Sequence, residues 1–304
     1  MKFWVGITDR DWFDFLFTRS PDEVNFWQPS SRPVAQFLEP GSLFLFKLHW
    51  PHNYIVGAGV FVRFSVLPAK LAWEAFGPKN GVEDYFTLRA RIQKYRSATK
   101  ADPLIGCNVL NSPVFWPESQ WIPVPLSWSR NIVRGRTYDT ADADGAALWN
   151  AVQERLIGQS VADAELAPDQ RRFGDAYLTH ARLGQGAFRL LVIDAYQRRC
   201  AITGERTLPV LEAAHIRPYR LAGPHHVSNG LLLRADLHKL FDDGYVTLSE
   251  DMRVEVSGRI REEFENGRDY YKLAGRQLQV LPARVIEQPS AAFMEWHRNT
   301  IYLG

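Results

Sequence analysis

Cysteine is nearly missing from this chain: there are two in 304 residues, Cys107 and Cys200, far apart and neither in a C-x-x-C pair. That excludes a disulfide framework and a cysteine-built zinc knuckle, and it suits a reducing compartment. Long apolar runs are missing too. No stretch is long enough to span a bilayer, and the opening "MKFWVGITDRDWFDF" carries acidic and basic side chains from Asp9 onward instead of an apolar run with a cleavage site. A soluble cytoplasmic protein with no membrane partner is expected. Internal repeats and low-complexity tracts are also lacking. So is a strong charge imbalance: a net charge of +2 permits an acidic partner without demanding one.

What is present divides into two textures. The length suffices for two domains, and 46% hydrophobic with 23% charged residues is ordinary for globular protein. Nine of the 10 tryptophans fall before residue 150, and only Trp296 follows. In that first part "FWVGIT", "GSLFLFKL", "YIVGAGVFVRFSVL" and "LIGCNVL" read as strands bounded by Pro, Gly and Asn. "LPAKLAWEAFG" and "DYFTLRARIQKYRS" have helical spacing. Strands dominate, so residues 1–135 are expected to form a small curved or barrel-like sheet with attached helices. Residues 136–180, polar and rich in alanine, read as a helical connector. Residues 181–304 form the second domain, with a helix in "FRLLVIDAYQRRCAITG" ending near Arg199 and a closing helix in the tail. The fold class is α+β.

Histidine is scarce, yet four of the eight lie between Ala213 and Leu248, in "AAHIRPYRLAGPHHVSNGLLLRADLHKLFDDGYVTL". Either a helix and a loop collect histidine by chance, or these side chains converge on a phosphate and a metal ion. "VLEAAHI" reads as a strand, which sends His215 and Ala214 to opposite faces. "HVSNGLLL" reads as a turn and a second strand, pairing with the first as a hairpin. Asn229 can hydrogen-bond across that loop and lock the backbone near His215. "RADLHKLFDDG" reads as a helix on which His238 and Asp242, four residues apart, share a face and can bind one metal. One imidazole and one carboxylate with open positions suit Mg²⁺ or Mn²⁺ better than a closed zinc site. Cutting a phosphodiester needs a base, a cation, its ligands and basic positioning groups, and this stretch can supply all four. His225 and His226 read as loop residues.

"CAITG", "LEAAHIRPY" and "NGLLLRADLHKLFDDGYVTL", in this order and spacing, resemble the HNH nuclease domains of the ββα-metal class, over about Arg182 to Leu248. The resemblance implies a restriction-type endonuclease with His215 as general base, Asn229 orienting it, and His238 and Asp242 holding the divalent ion. Many HNH enzymes carry a metal-binding Asp or His directly before the catalytic histidine, where this chain has Ala214. Either two protein ligands are completed by water and phosphate, or Glu212 contributes; the former is favoured.

Nine arginines between Arg171 and Arg220 stand against four acidic residues, an excess suited to a duplex backbone. Arg198, Arg199, Arg217 and Lys239 are the candidate DNA contacts. The N-terminal "FWVGITDRDWF", "FWQPSSR", "LEPGSLFLFKL" and "IVGAGVF" are similar to the PUA-like fold of the EVE and ASCH group. That similarity implies a module that takes a modified base into an aromatic pocket by base flipping. Trp27, Trp50 and Trp73 are the stacking candidates, with Ser30, Ser31 and Arg32 for polar reading; most of the tryptophans are expected in the core. The expectation is an endonuclease acting on double-stranded DNA with modified cytosine, working as a homodimer because a duplex cut needs two sites. The alternatives are an HNH effector that senses a small-molecule signal, and a DNA-binding protein with a degenerate nuclease domain.

Overall fold

The computed structural model describes residues 1–33, 38–95, 102–164, 184–221 and 223–304. The chain divides into two units, Met1–Ala187 and Phe188–Gly304.

The first unit is built on one sheet. Its strands are β1 (Lys2–Thr8), β2 (Glu23–Gln28), β3 (Leu43–Leu48), β4 (Tyr54–Pro68), β5 (Leu104–Phe115), β6 (Ile122–Pro123) and β7 (Gly135–Asp139). Their order is β2-β5-β4-β3-β1-β7, with β6 on β4. β1 runs parallel to β3; the other pairs are antiparallel. "LFLFKL" in β3 is buried along its whole length, as expected of a central strand covered on both faces. Register shifts at Ala58/Val60 and Phe61/Arg63 put bulges in the β4–β5 ladder, a feature that bends a long strand and raises its twist.

Helices α1 (Arg10–Phe17), α2 (Ala69–Phe76), α3 (Tyr85–Gln93) and α4 (Ala143–Ala164) complete this unit. α1 buries Trp12, Phe13 and Leu16 on one face. Trp12 meets Phe46 edge-on at 5.3 Å, and Phe46 stacks on Phe115 at 5.4 Å. Such pairs each add about 0.5–1.5 kcal/mol beyond the area they bury. Trp4, Trp12, Trp116 and Trp121 are all core residues, as anticipated for most of the tryptophans.

Three elements differ from the sequence reading. The sheet does not close into a barrel: its edge strands β2 and β7 are not hydrogen-bonded to each other. Trp4, Trp12, Phe26 and Trp27, from β1, α1 and β2, line an opening beside this sheet. The start of the expected helical connector is strand β7, because Tyr138 is buried and stacks on Phe3 at 6.0 Å. α4 follows it, and residues 165–180 lie outside the described residues. β2, unrecognised as a strand, begins at Glu23. That carboxylate is fully buried and accepts from the backbone N–H of Gly186 and Ala187, both at 2.8 Å, and from Lys79 Nζ at 3.0 Å.

Helix α5 (Gln185–Ala195) runs from the end of the first unit into the second. It stops four residues before Arg199, at a turn where Gln197 and Arg198 have φ of 54° and 59°. The second unit then has the hairpin β8 (Leu211–His215) and β9 (Gly230–Arg234), helix α6 (Ala235–Asp242), and the pair β10 (Val246–Leu248) and β11 (Val254–Val256). Helices α7 (Arg259–Phe264), α8 (Arg268–Tyr271) and α9 (Ala291–Thr300) follow. Leu231, Leu232 and Leu233 of β9 join Leu237 and Phe241 of α6 in a separate core. α9 closes over it through His297, whose ring stacks on Phe241 at 3.7 Å. His297 Nε2 lies 3.0 Å from the Phe241 carbonyl and Nδ1 lies 2.9 Å from Thr247 Oγ1, with burial pushing its pKa down to about 4. Among the described residues no helix is long and apolar enough to cross a membrane.

Candidate active site

The hairpin and α6 bring the histidine-rich stretch to one place. β8 and β9 pair antiparallel with Glu212 opposite Leu233 and His215 opposite Gly230. Gly230 has a steric reason: a Cβ there would sit 2.6 Å from Val192 Cγ2 and 3.0 Å from Phe188 Cζ. The missing side chain lets Phe188 stack face to face on His215, with ring centroids 3.9 Å apart and planes 15° apart. Burial, with the neighbouring His225 and His238 adding to it, pushes the His215 pKa down to about 4. The imidazole is therefore neutral at physiological pH, as a proton acceptor must be.

Asn229 is fully buried and clamps the loop between the strands. Its Oδ1 accepts from the Arg217 N–H, and its Nδ2 donates to the carbonyls of Arg217 and Pro224, each at 2.9 Å. The backbone N–H of Ile216 donates to the Asn229 carbonyl at 2.9 Å, so the residue after His215 is fixed as well. Gly223 belongs to the same loop, where a Cβ would collide with the Arg217 carbonyl at 1.8 Å.

On α6, His238 Nδ1 donates to Glu212 Oε2 at 2.6 Å, and Nε2 faces Asp242 Oδ2 at 3.3 Å. The Glu212 contact fixes the tautomer and aims Nε2, which is how a carboxylate behind a ligating imidazole works. Asp242 is half-buried, and burial raises its carboxyl pKa. A partly exposed carboxylate beside an imidazole nitrogen fits a hard divalent ion that leaves sites for water and phosphate. Among the described residues no group of three or more His, Cys, Asp or Glu is arranged to hold a metal. Residues His238 and Asp242 would thus supply two ligands, with Glu212 behind them.

Residues 200–249 match the family model described as HNH endonuclease. The chain carries an HNH endonuclease domain. One solved structure, titled "Modification dependent TagI restriction endonuclease", is similar at 13% identity and a TM-score of 0.28, covering 92% of this chain and 75% of that one. A TM-score that low carries no argument. Comparison with curated proteins finds no match.

Around the HNH domain the candidate phosphate contacts differ in their surroundings. Arg217 Nε donates to the Leu221 carbonyl at 2.8 Å and its guanidinium lies 5.5 Å from the Trp296 ring centre, so it braces the catalytic loop. Lys239 pairs with Asp243 at 2.7 Å on the surface, and Arg198 lies 3.7 Å from Asp194. Arg199 has its Nε buried. Arg171, Arg172 and Arg182 lie outside the described residues. The sequence reading passed over His225, whose Nδ1 is 2.9 Å from His215 Nε2 and whose ring stacks on Tyr219 at 4.5 Å.

The candidate reader residues of the first unit do not all meet. Trp27 and Ser30 line a pocket of about 590 Å³ in the open seam, together with Trp4, Trp12, Tyr95 and Arg134. Trp27 Nε1 donates to the Asn80 carbonyl at 3.1 Å, and buried Asn80 is held in turn by Ala72, Gly77 and Asn25. Trp50 is 71% exposed in the turn before β4, and Arg32 is exposed in the turn after β2. Trp73 lies on α2; neither it nor Trp50, Ser31 or Arg32 is part of the pocket lining. The sequence reading missed Trp4, Trp12 and Arg134 as pocket residues, since they come from a strand, a helix and a loop that only the fold brings together.

Proposed function

We propose that this protein is a modification-dependent restriction endonuclease. In this reading the first unit selects double-stranded DNA carrying a modified base, a modified cytosine in the first instance, and the HNH domain hydrolyses its phosphodiester bonds. The observation that carries the chemistry is a neutral, desolvated His215 on the same hairpin-and-helix unit as the paired His238 and Asp242. His215 accepts a proton from the attacking water, while Asn229 and Arg217 hold the loop that presents it. His238 and Asp242 would hold a Mg²⁺ or Mn²⁺ ion, which would supply positive charge to the scissile phosphate. Selection is supported by the seam pocket, whose volume falls in the range of small-ligand sites and whose aromatic walls offer stacking faces to a flipped base. A cut through both strands needs two HNH domains, so the working form in this reading is a homodimer.

The test uses matched duplexes carrying cytosine, methylcytosine, hydroxymethylcytosine or glucosylated cytosine, digested with Mg²⁺ or Mn²⁺ and with EDTA. Faster cutting of one modified duplex, abolished by EDTA, supports the reading. Equal cutting of all four would remove modification dependence; cutting in EDTA would remove the metal. Activation by a small nucleotide irrespective of base modification would establish the effector alternative.

A further inference from the structure

His215 has two ring nitrogens, and only one can receive the proton of the attacking water. Its Nε2 lies 2.9 Å from Nδ1 of His225, a hydrogen bond in which one ring donates and the other accepts. Two arrangements satisfy that bond. If His225 donated, the Nε2 lone pair of His215 would be used up and its Nδ1 would carry the hydrogen, leaving nothing to accept a proton. If His215 donates from Nε2, its Nδ1 lone pair is available, and Nδ1 has no hydrogen-bond partner among the described residues. A base at position 215 is compatible with the second arrangement alone.

We propose that His225 is the positioning residue of the nuclease site: its Nδ1 accepts the Nε2–H of His215, and so holds the base in the tautomer with a bare Nδ1. The proposal rests on the assignment of His215 as general base. Both rings are fixed in plane. Phe188 lies flat against His215 at 3.9 Å, and Tyr219 lies flat against His225 at 4.5 Å with 8° between the rings. A sandwich of this kind leaves each imidazole little freedom to turn its nitrogens away. In the reaction the water's proton lands on Nδ1 of His215, and the hydroxide bonds to phosphorus as the bond from phosphorus to the leaving sugar oxygen breaks, that oxygen taking up a proton from solvent. Nε2 keeps its own hydrogen, now on an imidazolium, and the His225 lone pair facing it stabilises that charge where burial alone would oppose it. Asn229 acts differently, because its contacts are to backbone atoms of Arg217 and Pro224 and it bonds neither ring.

The variants separate stacking from acceptance. His225→Phe keeps a flat ring against Tyr219 and removes the acceptor; His225→Asn restores an oxygen near the position of Nδ1. Full-length protein with Mn²⁺ and plasmid DNA under single-turnover conditions gives the cleavage rate. ¹⁵N NMR of the histidine side chains reports which nitrogen of His215 carries the hydrogen. A loss of roughly tenfold to a hundredfold is expected for His225→Phe, the range found when the partner behind a functional histidine is removed. His225→Asn should recover part of it. The wild type should show the Nε2–H form of His215, and His225→Phe a mixture of the two tautomers. Wild-type cleavage by His225→Phe, or an unchanged tautomer in it, would overturn the proposal, as would an Nδ1–H form in the wild type. His215→Ala tells the two levels apart. If it is inactive while His225→Phe is fully active, the positioning role alone fails; if it cleaves normally, the base assignment fails and takes the positioning role with it.

Discussion

The two units hold their sites in opposite ways. The HNH domain draws its reacting groups from one short run: His215, His225, Asn229, His238 and Asp242 span 28 positions of sequence. The pocket of the first unit draws on Trp4, Trp12, Trp27, Tyr95 and Arg134, which only the folded sheet brings together. A site built on a hairpin and the next helix is a local object, and its geometry follows from strand register and helical spacing. A site built in the seam of a sheet is a product of the whole domain. In the proposed reading, chemistry belongs to the first kind of site and base recognition to the second.

That contrast can be broken at four points, from the largest effect down. His215→Ala should lower single-turnover cleavage by about 10²–10⁴-fold, the range for a general base, and leave DNA binding intact in a gel-shift assay. Near-normal cleavage would dissolve the local site. Glu23→Ala strands the buried backbone donors of Gly186 and Ala187, while Lys79 keeps its ion pair with Asp22, and should destabilise the first unit by about 3 kcal/mol or more in urea unfolding. A single unfolding transition at wild-type denaturant would show the buried carboxylate to be dispensable.

Trp27→Ala should reduce the preference for modified over unmodified duplex by a stacking contribution of about 1–3 kcal/mol. It is best measured by competition binding in the His215→Ala background, where cleavage does not interfere. An unchanged preference would move recognition out of the seam. The smallest effect is on pH. His297 has its pKa pushed down to about 4 from 6.5, so the unfolded chain takes up a proton first as pH falls. The stability it contributes is complete above pH 6.5 and drains away toward pH 4. Between pH 6.5 and 5.5 its share of the loss should be on the order of 1 kcal/mol. It is read as the difference between the wild type and His297→Leu in the urea midpoint of the second unit, because His215 shifts in the same direction. His297→Leu should start lower and show a flatter pH slope.

Much of the second unit was legible because its signals are short-range. The alternation in "LEAAHI", the turn at "SNG" and the four-residue spacing of His238 and Asp242 each specify an element, and hairpin β8–β9 and helix α6 lie where they specify. The question left open at Ala214 meets one observation: the Glu212 side chain reaches His238 Nδ1 at 2.6 Å. His225 was illegible because a loop histidine has no periodicity; only the fold over Asn229 turns it toward His215. In the first unit the strands "LFLFKL" and "YIVGAGVFVRFSVL" announced themselves, whereas β2 did not. Its Glu23 and Asn25 are buried polar residues whose hydrogen bonds run to partners far away in sequence, and they disguise a buried strand as a loop. Barrel closure was illegible for a similar reason: whether two edge strands meet is a property of the folded sheet, and a list of strands does not contain it.

Strand β1 pairs with β7, with Lys2 opposite Asp139 and Gly6 opposite Gly135. The sheet's first strand therefore waits for residues more than a hundred positions later, while hairpin β8–β9 closes over a loop of fourteen residues between His215 and Gly230. Long-range pairing is slow and local pairing fast, and chains fold from the end synthesised first. On the ribosome the last edge of the sheet is thus laid before His215 has been translated. By the time the quick-folding hairpin emerges, the slow sheet has had a head start. In the proposed reading, the order of translation places the restraint ahead of the blade.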